Sequence, residues 1–201
     1  FSLLDADGKI SGRVTSKGKG IANVVVSDGF SVIQTDKNGG YNIEVNPLAT
    51  FIWISTPSGY EFTTDSHLAK YYEKLDAKTD LNFELKEMKQ KDNRHNFIIW
   101  ADPQVKNKTD VEKMMTTSVP DTKKVIQSMS NIPVHGITVG DIVWDNHALF
   151  ADYNQAVKDM GIPFFQCLGN HDMDYRMGGD ETSDKTFQEH YGPTYYSFNR
   201  G

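Results

Sequence analysis

The chain has a single cysteine, Cys167. One thiol excludes an internal disulfide framework and any zinc or iron–sulfur site built on several cysteines. Positive charge is scarce: 21 lysines and arginines stand against 27 aspartates and glutamates, a formal net charge of −6. Binders of nucleic acid or anionic membrane usually present a basic face, so this balance argues against both as partners. No apolar run approaches the ~20 residues of a membrane span, and no internal repeat or low-complexity segment is present. The sequence does have enough apolar residues, 38 % of its 201, to bury a core in one large or two small domains. An acidic protein that handles phosphate must bring in positive charge, and bound metal ions are the obvious source.

Residues 1–86 carry a β pattern. The runs Lys9–Thr15, Val24–Ser27, Ser31–Thr35, Tyr41–Val45, Phe51–Thr56 and Leu81–Leu85 are rich in β-branched and aromatic residues and are separated by turn residues. Asp28-Gly29 and Asn38-Gly39 suit tight hairpins. Tyr41, Ile43 and Val45 alternate with Asn42 and Glu44, which predicts one dry and one wet face. The patterns GKISGRV, GKGIANVVVSDG and TDKNGGYNIEV resemble a transthyretin-like, or carboxypeptidase-regulatory-like, β-sandwich over residues 8–86. Such modules commonly precede a catalytic domain in bacterial extracytoplasmic proteins, so the resemblance implies a periplasmic or cell-envelope location.

Residues 87–95, beginning with the polar Glu87–Arg94 (EMKQKDNR), read as a linker. From 96 to 201 the period changes. Phe97–Trp100, Val134–Val139 and Ile162–Leu168 are continuous apolar runs, the form of parallel strands covered on both faces. His147–Met160 places Leu149, Tyr153, Ala156, Val157 and Met160 on one helical face. Pro120 can open a second helix over Asp121–Met129. The alternation predicts βαβ units, so the chain as a whole reads as α/β plus all-β.

Polar residues follow each of the three apolar runs: Asp102-Pro103-Gln104, Gly140-Asp141 with Asp145, and Gly169-Asn170-His171-Asp172. Side chains at the carboxyl edge of a parallel sheet converge in one crevice. Oxygen donors arriving from three strands suit a hard cation, and the glycines before Asp141 and Asn170 let the backbone come close.

DPQ, GDIVWD and GNHD, in this order, resemble the first three motifs of the calcineurin-like metallophosphoesterases over residues 96–201. The stretch FQEHYGPTYYSFNRG resembles the segment after GNHD in bacterial members. The resemblance implies the amino-terminal part of a four-layer α/β/β/α domain and a dinuclear centre of two divalent ions (Mn, Mg, Fe or Zn) hydrolysing phosphomonoesters or phosphodiesters. Within it Asp102 would bind the first metal, Asp141 would bridge both and Asn170 would bind the second. His171 would meet the substrate phosphate or leaving group, and Asp145 would orient its imidazole. The family's aspartate lies one residue nearer the bridging position, where this chain has Trp144. Gln104 stands where many members have a histidine ligand, and its carboxamide would tilt the first site towards Mg or Mn over Zn. The family's later histidines, GHxH included, have no counterpart, since His190 in HYGP does not match them. A chain ending at Gly201, and opening at Phe1 with neither a basic n-region nor an apolar h-region, is therefore expected to be a mature fragment that holds metal poorly and hydrolyses little.

Simpler roles compete with these. Asp141 also reads as an ordinary loop carboxylate, Asn170 and His171 as caps, and Asp102 as the start of a turn. His135 and Cys167 read as buried structural groups, His67 and His147 as surface ones and His95 as solvated. Trp144 and Asn146 flank the loop and suit either a substrate pocket or loop packing. Leu3–Val14 has Asp5 and Asp7 but lacks oxygen ligands at both ends of a calcium loop. Ser16–Gly20 lacks phosphate-loop spacing, and Asn107-Lys108-Thr109 is a formal glycosylation sequon. The competing function is a non-catalytic extracytoplasmic binder, with a degenerate phosphoesterase domain and a β-sandwich that recognises a glycan or protein.

Overall fold

The computed structural model describes residues 8–75, 80–129, 131–175 and 180–201; Leu3, Asp5 and Asp7 lie outside them. The fold mixes α and β structure on several sheets. The chain divides into two compact units, one of Phe1–Thr63, Tyr71–Asn93 and Tyr195–Gly201, the other of Thr64–Lys70 and Arg94–Thr194. The sequence reading runs each half without a break, whereas each unit borrows a short segment from elsewhere in the chain.

In chain order the strands before residue 90 are β1 (Lys9–Ser16), β2 (Lys19–Gly20), β3 (Val25–Ser27), β4 (Val32–Gln34), β5 (Gly40–Glu44), β6 (Phe51–Ile54), β7 (Thr64–Asp65), β8 (Leu68–Ala69), β9 (Tyr72–Lys74) and β10 (Phe83–Glu84). The first unit holds two sheets. In one, β1 pairs with β10, β2 and β5; the other runs β4-β3-β6-β9. Ile10, Val14, Tyr41 and Ile43 from the first sheet and Val26, Ile52 and Ile54 from the second enter one buried core. Burying an aliphatic side chain of this size is worth roughly 1.5–3 kcal/mol. Tyr41 and Ile43 are buried and Asn42 and Glu44 exposed, as the alternation in β5 predicts.

Most of the expected linker, residues 87–95, is exposed, but it is anchored at two points. Met88 N–H donates to Gly59 O at 2.8 Å. Asp92 is buried and accepts from Ser58 Oγ and Gly59 N, each at 2.9 Å. The run Tyr195–Phe198 forms no regular strand; it joins this unit through a bridge from Thr56 to Phe198, the Tyr195 hydroxyl donating to Gly29 O at 2.9 Å, and ring contacts of Tyr196 with Tyr71 and Phe198 with Phe62.

The second unit is built on β11 (Asn96–Trp100), β12 (Val134–Val139) and β13 (Phe164–Cys167), parallel and adjacent, in a sheet of order β11-β12-β13-β8-β7. Its helices are α1 (Lys108–Lys113), α2 (Val119–Ser128), α3 (Phe150–Met160) and α4 (Lys185–Tyr191). Ile98, Trp100, Val134 and Phe164 pack into the helix-lined core with Met114, Phe150, Tyr153 and Val157. The opposite face of β11 is open: Phe97 and Ile99 are 53 % and 55 % exposed, so the expectation of strands covered on both faces does not hold there. Cys167 at the end of β13 is half-buried rather than fully buried.

The helix expected over Asp121–Met129 is present as α2, with Pro120 at its start, but it does not stand alone. The continuous helix starts at Lys108, where Asn107 Oδ1 caps the Asp110 amide at 3.1 Å, and runs through a π-helical segment, Met114–Ser118, into α2. Proline supplies no N–H to the ladder, and the wider turn before it absorbs the defect, with Val119 N–H donating to Met114 O. His67 is not a surface residue of the β half. With Ser66 it occupies the left-handed turn of the β7–β8 hairpin (φ 73° and 50°), and its carbonyl accepts the Phe164 amide at 2.8 Å, which adds the hairpin to the α/β sheet.

Candidate functional site

Parallel pairing of β11, β12 and β13 sends their carboxyl ends to one edge of the sheet, where the loops beginning at Ala101, Gly140 and Leu168 emerge. A bridge between Val105 and Val143 joins the first two loops, and Trp144 N–H donates to Val105 O at 3.0 Å. The third loop is held to the second by Asp172. This carboxylate is fully buried and accepts the amides of Val143 at 3.0 Å, Ile142 at 3.1 Å and Gly169 at 3.0 Å. Burial pushes the Asp172 carboxyl above the ordinary range, against the pull of those three amides.

Asp141 lies between the outer loops. Gln104 Nε2 donates to its Oδ2 at 2.9 Å, Gln104 N–H donates to its carbonyl at 2.9 Å, and His171 N–H donates to its Oδ1 at 3.0 Å. Gly169 makes the approach possible: a Cβ there would sit 2.0 Å from Asp141 N and 2.2 Å from its Oδ1. Gly140 precedes Asp141 with φ 83°.

His171 Nδ1 meets Asp145 Oδ1 at 2.8 Å, and Asp145 N–H donates to His171 O at 3.1 Å. The Trp144 indole stacks on the imidazole, centroids 3.8 Å apart and planes at 20°. The Lys106 ammonium lies 4.1 Å over the Trp144 ring. Asp102 and Asn170 are exposed, and the Asn170 carbonyl accepts the Tyr175 hydroxyl at 2.9 Å. Burial and the neighbouring Asp145 carboxylate raise the Tyr175 phenol above its usual range.

The backbone at this edge is strained. Asp102, Gln104, Asp141 and Asp145 all have φ between 44° and 55°, four of the nine described non-glycine residues in the left-handed region. Each such residue costs roughly 1–3 kcal/mol, and strain of this kind collects where chemistry or binding is done. A cavity of about 530 Å³ adjoins the first loop, lined by Trp100, Asp102, Gln104, Lys113, Met114 and Ser118.

Residues 8–99 match the family N terminal of Calcineurin-like phosphoesterase. No curated protein matches the chain. The match covers residues 8–86, which resemble a transthyretin-like sandwich, and runs on through the expected linker into β11. The match ends within β11, before Asp102, so the three motif loops lie outside it.

Of the residues singled out in the sequence, Gln104, Asp141, Asp145 and His171 are joined in one hydrogen-bonded chain across two loops and the start of a third. Asp102 and Asn170 flank that chain. Their donor atoms are oxygens, and with Asp141 and the Gln104 carbonyl they suit a hard divalent cation in kind. Only two of the four carry charge, and among the described residues no three His, Cys, Asp or Glu side chains gather as a metal cluster. His147 and His190 do not join that chain: His147 Nδ1 is 3.5 Å from Asp174 Oδ1, and His190 packs edge-on against Phe150. His95 stacks on buried His135, centroids 6.0 Å apart, and is half-buried rather than solvated. Sequence reasoning gave no role to Asp172, Lys106 or Tyr175; the D of GNHD was the available signal for the first.

Proposed function

We propose that this chain carries a metal-dependent phosphoesterase site that hydrolyses phosphomonoesters or phosphodiesters. The observation that carries the reading is the Asp141 carboxylate, held by Gln104 from one loop and by the His171 amide from another, at the carboxyl edge of three parallel strands. The likeness of residues 8–99 to a family that precedes calcineurin-like phosphoesterases supports it.

Asp102, Gln104, Asp141 and Asn170 would hold the divalent ions. When bound, such ions neutralise phosphoryl oxygens and acidify a water. The chain's own residues do the rest. Asp145 fixes the imidazole of His171 through Nδ1 and leaves Nε2 as the nitrogen for a substrate oxygen, where a proton can be given to the leaving group. Trp144 restricts ring rotation by stacking. Five aspartates, at positions 102, 141, 145, 172 and 174, crowd these loops, an environment that a cation would relieve.

The test is Asp141→Ala and Asn170→Ala in the full-length protein, assayed on an aryl monoester and an aryl diester with Mn, Mg, Fe or Zn added. Hydrolysis should fall at least 100-fold in both variants, and hydrolysis persisting without loss in either would overturn the assignment. Extracytoplasmic placement belongs to the same proposal and is checked by fractionating the source cells.

One observation favours a second reading, a binding protein with a degenerate site. The candidate metal is served by only two carboxylates, Asp102 and Asp141, with the carboxamides of Gln104 and Asn170 in the other two places. Elemental analysis of the full-length protein separates the two: about two metals per chain for the enzyme, none for the binder.

A further inference from the structure

Among the described residues of the three loops, 101–106, 140–146 and 168–175, Lys106 is the one lysine or arginine, against five aspartates. An ammonium in such company would ordinarily pair with a carboxylate. Among the described residues this one has no carboxylate within ion-pair distance; its contact is the face of Trp144, at 4.1 Å. The arrangement is built in. Val105 and Val143 are bridged, and Lys106 and Trp144 are the next residue on each strand of that bridge. Trp144 N–H is fixed on Val105 O, and Lys106 N–H donates to Asp110 Oδ2 at 3.3 Å. The indole is itself stacked on His171, the group that would face the leaving group. Lys106 is exposed and Trp144 is 38 % exposed, so the ammonium stands at the rim, open to an incoming molecule.

We propose that Lys106, carried on the Trp144 ring, is an anion subsite that selects esters whose leaving group bears a negative charge beyond the phosphate being cleaved. The inference rests on the phosphoesterase reading for its chemistry and on the Lys106–Trp144–His171 stack for its geometry. The Trp144 indole covers one face of the imidazole, so a scissile phosphate would meet the free Nε2 edge of His171, and a leaving group that passes beside the indole comes towards Lys106. A carboxylate or second phosphate on that group then reaches an ammonium that has no competing carboxylate. A neutral planar group gains less, because the indole is already engaged by the imidazole and the ammonium. A partly exposed pair of this kind is worth up to about 1 kcal/mol, or roughly 5-fold in selectivity.

The experiment uses one pair of phenols in two readouts. In the full-length protein, kcat/KM is measured for 4-carboxyphenyl phosphate and for its neutral partner, 4-carbamoylphenyl phosphate. In parallel the free phenols, 4-hydroxybenzoate and 4-hydroxybenzamide, are titrated while the Trp144 indole N–H is followed by NMR. The chain's three tryptophans give three such signals, and the Trp144 signal is the one lost in Trp144→Phe. The wild type should favour the carboxylate in both readouts. Lys106→Met should lower the kcat/KM ratio about 5-fold and abolish the preference at the Trp144 signal, while Lys106→Arg keeps both. A wild type without preference, or a preference that survives Lys106→Met, overturns the subsite. If neither ester is hydrolysed but the carboxylate preference at Trp144 is present and depends on Lys106, the subsite stands and the phosphoesterase reading falls. If both esters turn over with a ratio unchanged by Lys106→Met, the reverse holds.

Discussion

The buried carboxylate of Asp172 accepts the amide of Val143 at 3.0 Å, and this contact fastens the loop after β13 to the loop after β12. The same carboxylate also takes the amides of Ile142 and Gly169. Removing it orphans three N–H groups where little water can reach, each at about 1–3 kcal/mol. Asp172→Ala is therefore expected to lower stability by about 3 kcal/mol or more, and Asp172→Asn, which keeps one acceptor oxygen, by roughly half that. Denaturant midpoints measure the loss. Amide exchange at Val143 and Gly169 should quicken first, and unchanged protection at both would contradict the clasp.

Gly169 is expected to tolerate no side chain. An alanine Cβ would lie 2.0 Å from Asp141 N, a distance that backbone cannot accept, so Asp141 must shift. The strands below are not involved, and circular dichroism of Gly169→Ala should match the wild type. Metal-assisted hydrolysis in the full-length protein should fall about 100-fold, the usual consequence of an ångström-scale displacement at a reacting centre. A variant that folds and retains full activity would remove Asp141 from the site.

Much of this was legible in the sequence because it is local. Val134–Val139 is an apolar run of strand length and forms a strand with those bounds, and the polar residues that end each run sit in the loops at one sheet edge. The contact of Asp145 with His171 matches the pairing that the resemblance to the phosphoesterase motifs implied; the catalytic role given to the pair is a separate matter. What escaped depends on partners distant in the chain. The hairpin at Ser66-His67 lies amid β-rich sequence, and only the Phe164 amide, nearly a hundred residues on, assigns it to the α/β sheet. The helix from Lys108 was hidden by Thr116, Thr117 and Pro120, poor helix formers whose cost is offset by packing of Val111, Met114 and Val119. Within the exposed Glu87–Arg94 the burial of Asp92 was not legible, because the arginine that meets it lies beyond residue 190.

Asn107→Ala tests the start of that helix. The Asn107 side chain accepts the Asp110 amide at 3.1 Å, and its loss should cost about 1 kcal/mol, with Asn107→Asp retaining most of the stability. Both values come from denaturant midpoints. A cost near zero for alanine would mean that α1 begins later than Lys108 in solution.

The Asp92–Arg200 pair gives the first unit a defined response to acid. Both side chains are buried, 6 % and 5 % exposed, with Asp92 Oδ2 at 3.5 Å from the guanidinium, which also donates to Tyr60 O at 2.9 Å and lies 3.5 Å over the Phe62 ring. Burial alone would raise the Asp92 carboxyl, but the Gly59 amide, the Ser58 hydroxyl and Arg200 together outweigh it and hold the group below its ordinary value of 3.8. A depressed carboxylate contributes stability that is fully present above its unfolded value and lost as pH falls through the lower folded one. Asp92→Ala at neutral pH leaves a buried guanidinium unpaired and should cost about 3–5 kcal/mol. The gap in denaturant midpoint between wild type and Asp92→Asn should be constant at neutral pH and shrink as the pH is taken below about 4. A gap that stays level through that range would show that Asp92 is not the charged partner of Arg200.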